Sequence, residues 1–260
     1  MIIKEVVEYL IKQFPLKIQE EWDQSGIIVE GQLNQKMENA IICLEVNDEI
    51  IDEALRKKAS LIISHHPIFK QTIEHKINDY NAKLLHRISD NQMTLLSLHT
   101  NYDFSNGGMN YEILNKIDCQ KINWFDNDKN NKFLVAKLKQ PMTLNQLAIQ
   151  MRLEFELENV YYLSSDGNKK ISNIALCAGS GFSVFEDKID EIKKSNIDLI
   201  ITGDIKWHNW QLSKNYNIAL LDVSHAIENS FVDAIYNLIS SKFKKTKFHK
   251  MYTDLELTKL

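Results

Sequence analysis

The sequence predicts an α/β protein built from two similar α/β domains. Short apolar segments alternate along the chain with segments whose apolar residues recur at helical spacing, a pattern typical of strands connected by helices. Two of the apolar segments also resemble each other, since residues 60–66 read SLIISHH and residues 198–204 read DLIITGD. Each precedes a helix, a strand and a polar loop that contains histidine. We therefore expect an internal duplication of one α/β unit.

The first half of the chain begins with an amphipathic helix at 2–14, which ends before Pro15. A loop within 22–31 then leads into a short strand. The next strands are predicted at 40–44, 61–63 and 93–98. The helices between and after them are predicted at 48–58, 79–89 and 109–116.

A polar, turn-like segment, NWFDNDKNNK at 123–132, forms the clearest boundary in the chain. We therefore predict a first α/β domain at 1–126 and a second at 127–260. The strands of the second domain are predicted at 133–138, 158–163, 171–177, 198–201 and 217–221. Its helices are predicted at 141–152 with Thr143 as the N-cap, at 182–195, around Trp207–Trp210 and at 226–241.

Composition and charge exclude several classes of protein. With 44% hydrophobic and 25% charged residues the chain is a globular protein rather than a disordered one. The net charge of −4 gives no electrostatic support for nucleic acid as a partner. No segment approaches the roughly 20 apolar residues that cross a membrane, so we expect no membrane association. The three cysteines, Cys43, Cys119 and Cys177, are widely spaced and are interpreted as buried hydrophobic residues of a cytoplasmic protein.

Polar side chains collect in the loops that follow the predicted strands, where ligands bind in open α/β sheets. Five of the eight histidines lie in these loops, and acidic residues accompany them. The histidines are His65, His66, His99, His208 and His225, and the acidic residues are Asp103, Asp204 and Glu228. A set of imidazoles and carboxylates without thiolates suits Zn, Fe, Mn or Ni better than Ca or Mg.

The spacing of these residues favours two divalent metal ions per chain over one. Adjacent residues on an extended backbone point to opposite sides, so His65 and His66 are natural ligands for two neighbouring ions. Asp103 is a carboxylate that could bridge such a pair, and ions roughly 3.5–4 Å apart are a common hydrolytic arrangement. His225 and Glu228 are three residues apart at a helix start and can face the same way.

Other polar residues leave alternatives open. His99 fits either an ordinary surface histidine or a residue that orients a metal ligand. Asp204 and His208 fit either proton transfer in a pocket or a solvated surface. We name His208, Asp204 and His99 as candidate catalytic residues. The Gly179-Ser180-Gly181 turn could contact a phosphate, but it lacks the full phosphate-binding patterns and is interpreted as a tight structural turn.

The chain resembles the GTP cyclohydrolase I type 2-like family, the Nif-three-like dinuclear metal proteins. The segments that carry the resemblance occur in the family's order and span nearly the whole chain. They are WDQSGIIVEG (22–31), LIISHHPIF (61–69), LLSLHTNYDFSNGGMN (95–110), AGSGFSVF (178–185), ITGDIKWH (201–208) and LDVSHAIE (221–228). The sequence departs from the family's pattern at Glu45, where Asp is usual, and at Ala178 and Ser224, where Gly is usual.

The resemblance implies a dinuclear metal centre in a cleft between two similar α/β domains. By motif match its ligands fall on His65, His66, Asp103, His225 and Glu228, so that segment 221–228 would return to the shared cleft. It also implies a ring-shaped homohexamer.

The sequence alone leaves three alternative functions open. The first is a metal-dependent hydrolase of a small, nucleotide-like substrate, with opening of the guanine ring of GTP and release of formate as the reaction that the resemblance suggests. The second is a dinuclear phosphoesterase. The third is a metal-binding scaffold or regulatory protein without turnover, in which the metals support the assembly.

Overall fold

The computed structural model of this chain describes residues 1–70 and 77–253. The strands of these residues are β1 (Gly26–Val29), β2 (Asn39–Cys43), β3 (Leu61–Ser64), β4 (Thr94–Ser97), β5 (Cys119–Trp124), β6 (Leu134–Thr143), β7 (Tyr161–Leu163), β8 (Lys170–Leu176), β9 (Leu199–Thr202), β10 (Ala219–Asp222) and β11 (Lys247–Met251). The α-helices are α1 (Ile3–Gln13), α2 (Asp48–Lys57), α3 (Asp79–Asp90), α4 (Thr100–Asp103), α5 (Met109–Lys116), α6 (Leu144–Glu154), α7 (Phe182–Glu186), α8 (Ile189–Lys194), α9 (Trp207–Tyr216) and α10 (Ser230–Lys242).

Local sequence signals account for the helix ends. The side chain of Asn47 accepts a hydrogen bond from the Ile50 N–H at 2.9 Å and caps α2, which ends where Lys58 adopts a left-handed conformation with φ of 54°. As predicted, Thr143 caps α6, and Gln146 completes the capping box. These caps satisfy N–H groups that a helix cannot pair internally.

The chain divides into two compact units, and the first is discontinuous in sequence. It consists of Met1–Ser105 together with Phe231–Leu260. Its five-stranded sheet has the order β1-β4-β3-β2-β11, in which β1 is antiparallel to β4 and the other neighbours are parallel. Strands β3 and β4 are buried along their whole length, which explains their continuous apolar sequence.

The second unit, Asn106–Ser230, is continuous in sequence. Its six-stranded sheet has the order β5-β6-β8-β9-β10-β7. Strands β8, β9 and β10 are parallel to one another, whereas β7 is antiparallel to β10 and β6 is antiparallel to β8. The mixed α/β class predicted from the sequence is confirmed.

The two units share one strand arrangement. In each, three parallel strands follow one another across the sheet, and an antiparallel strand that precedes them in sequence pairs with the third. The register also matches, since the Leu98 N–H donates to the Ser64 carbonyl and the Val223 N–H donates to the Thr202 carbonyl, both at 2.9 Å. Topology thus repeats between β1–β4 and β7–β10, and the similar segments 60–66 and 198–204 surround the central strands β3 and β9.

The unit boundaries differ from the predicted division at 126/127. They lie at 105/106 and 230/231, because β5 pairs with β6 and so joins the second unit, whereas β11 pairs with β2 in the first. The polar segment at 123–132, predicted to be a turn-like boundary, contains the end of β5 and two short 3-10 helices. The single helix predicted at 182–195 is two helices, α7 and α8, and the predicted helix at 226–241 is a 3-10 turn at His225–Asn229 followed by α10.

All three cysteines are buried and are not in disulfides. Burial raises the pKa of the Cys119 thiol to about 12, and burial likewise raises the pKa of Cys43 well above its usual range. Thiols with such values stay protonated at neutral pH and make poor nucleophiles or ligands. The structure therefore supports their interpretation as small hydrophobic residues.

Candidate metal sites

The adjacent histidines of the first unit lie directly after β3. Their backbone N–H groups bond to the end of β2: His66 donates to the Leu44 carbonyl at 2.9 Å, and His65 donates to the carbonyls of Cys43 and Leu44. The chain bends here, and the ring centroids lie 4.9 Å apart. The expectation that the two rings point to opposite sides of a strand is therefore wrong, because residues 65 and 66 are not extended strand.

A third imidazole, from His99 after β4, joins this pair. Its ring centroid is 5.2 Å from that of His65 and 5.5 Å from that of His66. One ring nitrogen from each of the three histidines lies within 4.8 Å of the other two. Parallel neighbouring strands end at the same edge of the sheet, so β3 and β4 bring residues 65 and 99 together although 33 residues separate them in sequence.

The Nδ1 atom of each of these histidines faces an oxygen that can accept a hydrogen bond. The His65 Nδ1–H donates to the Leu98 carbonyl at 2.8 Å, the His66 Nδ1–H to Glu45 Oε1 at 3.0 Å, and the His99 Nδ1–H to Asp23 Oδ1 at 2.9 Å. A carbonyl or an ionised carboxylate only accepts, so these contacts place the proton on Nδ1 and the lone pair on Nε2. This arrangement is typical of metal-ligating histidines.

Asp103 supplies a carboxylate to the same cluster. It lies in the short helix α4, and its Oδ1 atom is 3.6 Å from His65 Nε2. Two ligand atoms that each lie roughly 2.0–2.2 Å from one zinc ion are separated by about 3.4 Å in tetrahedral geometry. The observed separation fits a shared ion. We call His65, His66, His99 and Asp103 the first-unit cluster.

Asp23, which was not among the candidate residues predicted from the sequence, is buried beside this cluster. Besides the contact with His99, it accepts hydrogen bonds from the Ser25 hydroxyl at 2.7 Å and from the Thr100 N–H at 3.0 Å. Burial alone would raise the pKa of this carboxyl, but the hydrogen bonds and the nearby His99 hold it well below its usual range. The only signal for Asp23 in the sequence was its position in the segment WDQSGIIVEG.

In the second unit His225 lies between two carboxylates. Its Nδ1 atom is 2.6 Å from Asp204 Oδ2, and its Nε2 atom is 2.9 Å from Glu228 Oε2. Burial by itself lowers the pKa of His225, but the hydrogen bonds and charges of Asp204 and Glu228 outweigh it and raise the pKa to about 11. Binding of a divalent ion at Nε2 therefore requires loss of a proton. We call His225, Glu228 and Asp204 the second-unit cluster.

Gly179 makes room for Glu228. This glycine follows β8 with φ of +60°, and a β-carbon there would lie 2.1 Å from Glu228 Oε1. Both the left-handed conformation and the close approach require glycine. The Gly179-Ser180-Gly181 turn thus positions a carboxylate, which supports its interpretation as a structural turn.

The residue before His225 has an unusual backbone conformation. Ser224 adopts φ of 60° and ψ of 155°, a region that is essentially restricted to glycine. Its N–H donates to Asp222 Oδ1 at 2.9 Å, which helps to hold the turn. The departure noted at this position in the sequence therefore coincides with local backbone strain in front of a candidate ligand.

The candidate catalytic residues have different environments. His99 belongs to the first-unit cluster, and Asp204 contacts His225, so both lie beside candidate ligands. His208 is exposed in the first turn of α9, next to the exposed Trp207. The structure gives no contact of the His208 side chain with either cluster among the residues it describes.

The fold and the donor sets define an α/β protein of two related units that carries histidine–carboxylate clusters suited to divalent metals. The profile of the Duf34/NIF3 (NGG1p interacting factor 3) family matches residues 1–256. The chain belongs to this family, which confirms the resemblance seen in the sequence.

Relatives with assigned names match most of the chain. A Clostridium acetobutylicum protein named GTP cyclohydrolase 1 type 2 homolog is 32% identical over 225 residues, which cover 83% of this chain and 81% of that protein. A Helicobacter pylori protein named GTP cyclohydrolase 1 type 2 is 28% identical, and the match covers 86% and 85% of the two chains.

The fold itself is found in solved structures. The crystal structure of Staphylococcus aureus protein SA1388 superposes with a TM-score of 0.85 at 20% identity, and the match covers 100% of this chain and 99% of that one. At this identity the likeness shows the fold. Across residues 1–70 and 77–253, none of the helices has the length and apolar character needed to cross a membrane.

Proposed function

We propose that this protein is a dinuclear metal-dependent hydrolase of a nucleotide-like substrate, and that the reaction is opening of the guanine ring of GTP. The observation that carries the metal site is the shared orientation of four histidines. In His65, His66, His99 and His225, Nδ1 is held by an oxygen acceptor, an orientation typical of histidines that bind a metal through Nε2. The names of the relatives support the choice of GTP.

The ligands of this proposed centre are His65, His66, Asp103, His225 and Glu228. Two divalent ions, chosen among zinc, iron, manganese and nickel, match the nitrogen and oxygen donors. When bound, such a pair supplies a water of lowered pKa that is an effective nucleophile at neutral pH.

The protein residues around the centre orient the ligands and move protons. Glu45 and Asp204 accept the Nδ1–H of His66 and His225 and so fix both rings. In the proposed reaction a first water adds at C8 of guanine, and cleavage of one C8–N bond opens the ring to a formamide. A second water then adds to the formamide carbon, the remaining C8–N bond breaks and C8 leaves as formate. The released nitrogens need protons, and we assign proton transfer to His208 or Asp204 and the orientation of a ligand to His99.

The family resemblance supports a proposal for the compartment and the oligomeric state of the protein. We propose that the chain is cytoplasmic and assembles as a homohexamer. Light scattering coupled to size-exclusion chromatography measures the mass of the assembly, and a mass of a single chain would contradict the hexamer.

Elemental analysis tests the metal centre. Wild-type protein loaded with each candidate metal is expected to retain two ions per chain, and His66→Ala and Glu228→Gln are each expected to retain fewer. His86→Ala is the matched control, because His86 is exposed on α3 outside both clusters. Equal metal content in all four proteins would contradict the ligand assignment.

Incubation of the metal-loaded protein with GTP tests the reaction. The expected products are formate and a ring-opened nucleotide that retains its triphosphate, both reduced in His66→Ala. Release of phosphate without formate would instead support a dinuclear phosphoesterase. A bound metal pair with neither product, across a panel of nucleotides, would support the scaffold or regulatory role.

A further inference from the structure

We propose that Asp23 is a positioning residue that holds His99 in the Nδ1–H tautomer, so that His99 Nε2 accepts a hydrogen bond from the water or substrate beside the metal ligands. This inference rests on the proposed function and assigns a role to a residue outside the ligand set. It also separates His99, as a hydrogen-bond acceptor, from the neighbouring ligands His65 and His66.

The buried carboxylate of Asp23 accepts hydrogen bonds at both of its oxygens. Its Oδ2 atom receives the Thr100 N–H at 3.0 Å, the Thr100 hydroxyl at 2.5 Å and the Ser25 hydroxyl at 2.7 Å. Its Oδ1 atom receives the Gln24 N–H at 2.7 Å and the His99 Nδ1–H at 2.9 Å. A carboxylate with five donors around it keeps a fixed position, and only an acceptor fits among them.

The position of Asp23 determines the direction of the His99 ring. The Nδ1 end is fixed on Asp23, and the ring packs edge-on against Trp22 and Phe69, with centroid distances of 5.6 and 6.4 Å. The backbone N–H of His99 also bonds to the Ser25 hydroxyl at 3.2 Å. The ring lies beside those of His65 and His66, and one of its nitrogens lies within 4.8 Å of a ring nitrogen of each of them.

His65, rather than His99, is the histidine of the first-unit cluster for which a close carboxylate partner is seen in the cluster itself. In the first unit Asp103 lies 3.6 Å from His65 Nε2 and forms the pair suited to one ion. A neutral imidazole held by a buried carboxylate is a strong hydrogen-bond acceptor at its other nitrogen, as in hydrolases where an aspartate fixes the tautomer of a histidine. Such an acceptor can hold a water molecule or a substrate N–H group in one orientation.

The tautomer is measured directly by long-range ¹H–¹⁵N NMR of the wild-type protein. The expected spectrum of the zinc-loaded protein shows His99 with a protonated Nδ1 and an unprotonated Nε2 that carries no metal. An Nε2–H tautomer, or an Nε2 shift typical of a metal-bound nitrogen, would overturn the proposal without any variant being made.

Asp23→Asn tests the positioning role. Its amide oxygen is expected to take the Oδ2 position, where three donors converge. Its NH₂ group then takes the Oδ1 position, so the Gln24 N–H loses its acceptor and His99 Nδ1 must accept, which forces the Nε2–H tautomer. Two zinc ions per chain are expected to remain. Formate production from GTP should fall at least tenfold in kcat, with KM changed by less than about threefold, because the proposed metal ligands are unchanged.

Two further variants keep the test decisive if Asp23→Asn folds poorly. Thr100→Val removes one hydroxyl donor to Asp23 but leaves the His99 contact, and it is expected to keep the wild-type tautomer. His99→Gln is expected to keep both metal ions and lose activity. Loss of zinc from His99→Gln comparable to that from His66→Ala would show that His99 is a ligand and overturn the proposal. If wild-type protein loaded with zinc retains no metal pair, the proposed function itself is refuted.

Discussion

The histidines of this protein are oriented by residues that are distant in sequence. Glu45 lies 21 residues before His66, Asp23 lies 76 residues before His99, and Asp204 lies 21 residues before His225. Each is an oxygen acceptor for Nδ1, and a metal ligand oriented in this way loses less conformational freedom when it binds. Two backbone positions, Gly179 and Ser224, likewise help to place Glu228 and His225.

Gly179→Ala is expected to disturb the second-unit cluster. A β-carbon there would lie 2.1 Å from Glu228 Oε1, and the residue has φ of +60°, so the carboxylate must move and the backbone is strained. We expect a loss of about 1–3 kcal/mol of stability from the left-handed conformation and the displaced side chain. Urea unfolding and zinc content per chain measure the two effects.

The matched control for this change is Gly167→Ala. No heavy atom lies within 4 Å of a β-carbon built at position 167, and its backbone has no left-handed conformation. This variant should keep wild-type stability and zinc content. If Gly179→Ala behaves like the control, the glycine does not position Glu228.

Ser224→Gly is expected to stabilise the protein. The φ of 60° and ψ of 155° at this position cost a non-glycine residue roughly 1–3 kcal/mol. The serine hydroxyl contributes a weak cap, accepting the Ala226 N–H at 3.3 Å, and replacing a cap by glycine costs only a few tenths of a kcal/mol. A net gain of about 1 kcal/mol should appear as a higher urea midpoint.

Ser224→Ala is the informative comparison, because it removes the cap and keeps the strain. It should be less stable than the wild type. A gain of stability in the alanine variant, or none in the glycine variant, would mean that the turn before His225 is not strained in solution.

At the level of secondary structure, the side chain of Asp198 connects β9 to β8 in the second unit by hydrogen bonds. Immediately before β9, it accepts hydrogen bonds from the backbone N–H groups of Ser172 and Asn173 in β8, both at 3.0 Å. Lys169 Nζ lies 3.0 Å from its other oxygen. Burial alone would raise the pKa of Asp198, but these hydrogen bonds and the charge of Lys169 lower it below the usual 3.8.

Asp198→Asn is therefore expected to destabilise the protein by about 1–2 kcal/mol at pH 7. A lowered pKa in the folded state stabilises the protein above the unfolded value of 3.8, and this contribution is lost as the pH falls through the folded value. The difference between wild type and variant should shrink below about pH 4. Urea unfolding at several pH values measures it, with Asp187→Asn, at an exposed site, as the control. A constant difference down to pH 2 would contradict the assignment.

The strands and helices with clear periodicity could be predicted from the sequence, and the contacts between them could not. The burial of β3 and β4 is visible as apolar runs, and the cap of α6 is visible as Thr143 with Gln146. Strand β5 was missed because its residues are mostly polar and exposed along CQKINW, so that neither an apolar run nor alternation marks it.

The candidate site shows the same division between local and distant information. The residue types at the strand ends indicated metal chemistry, because a shared sheet edge brings them together. The side-by-side rings of His65 and His66 were not predictable, because the bend after β3 depends on hydrogen bonds to the end of β2. The pairing of Asp23 with His99 depends on a contact between distant segments that no local pattern encodes.

At the scale of the whole molecule, one unit is inserted into the sequence of the other. Residues 106–230 form the second unit, while the first needs both 1–105 and 231–260. The returning segment supplies β11, which pairs with β2, and α10, whose Phe231, Val232 and Ile235 are fully buried. Such an arrangement gives the two units different tolerance to truncation.

We expect residues 106–230 to fold alone and residues 1–105 to fail to fold alone. Loss of 231–260 removes several fully buried side chains, each worth roughly 1.5–3 kcal/mol, from a unit whose total stability is expected to be about 5–15 kcal/mol. Joining 1–105 to 231–260 by a short flexible linker should restore folding, because the rings of Tyr102 and Phe231 lie 5.2 Å apart across the cut. Cooperative urea unfolding followed by circular dichroism distinguishes the three fragments. A cooperative transition for residues 1–105 alone would show that α10 and β11 are dispensable for the first unit.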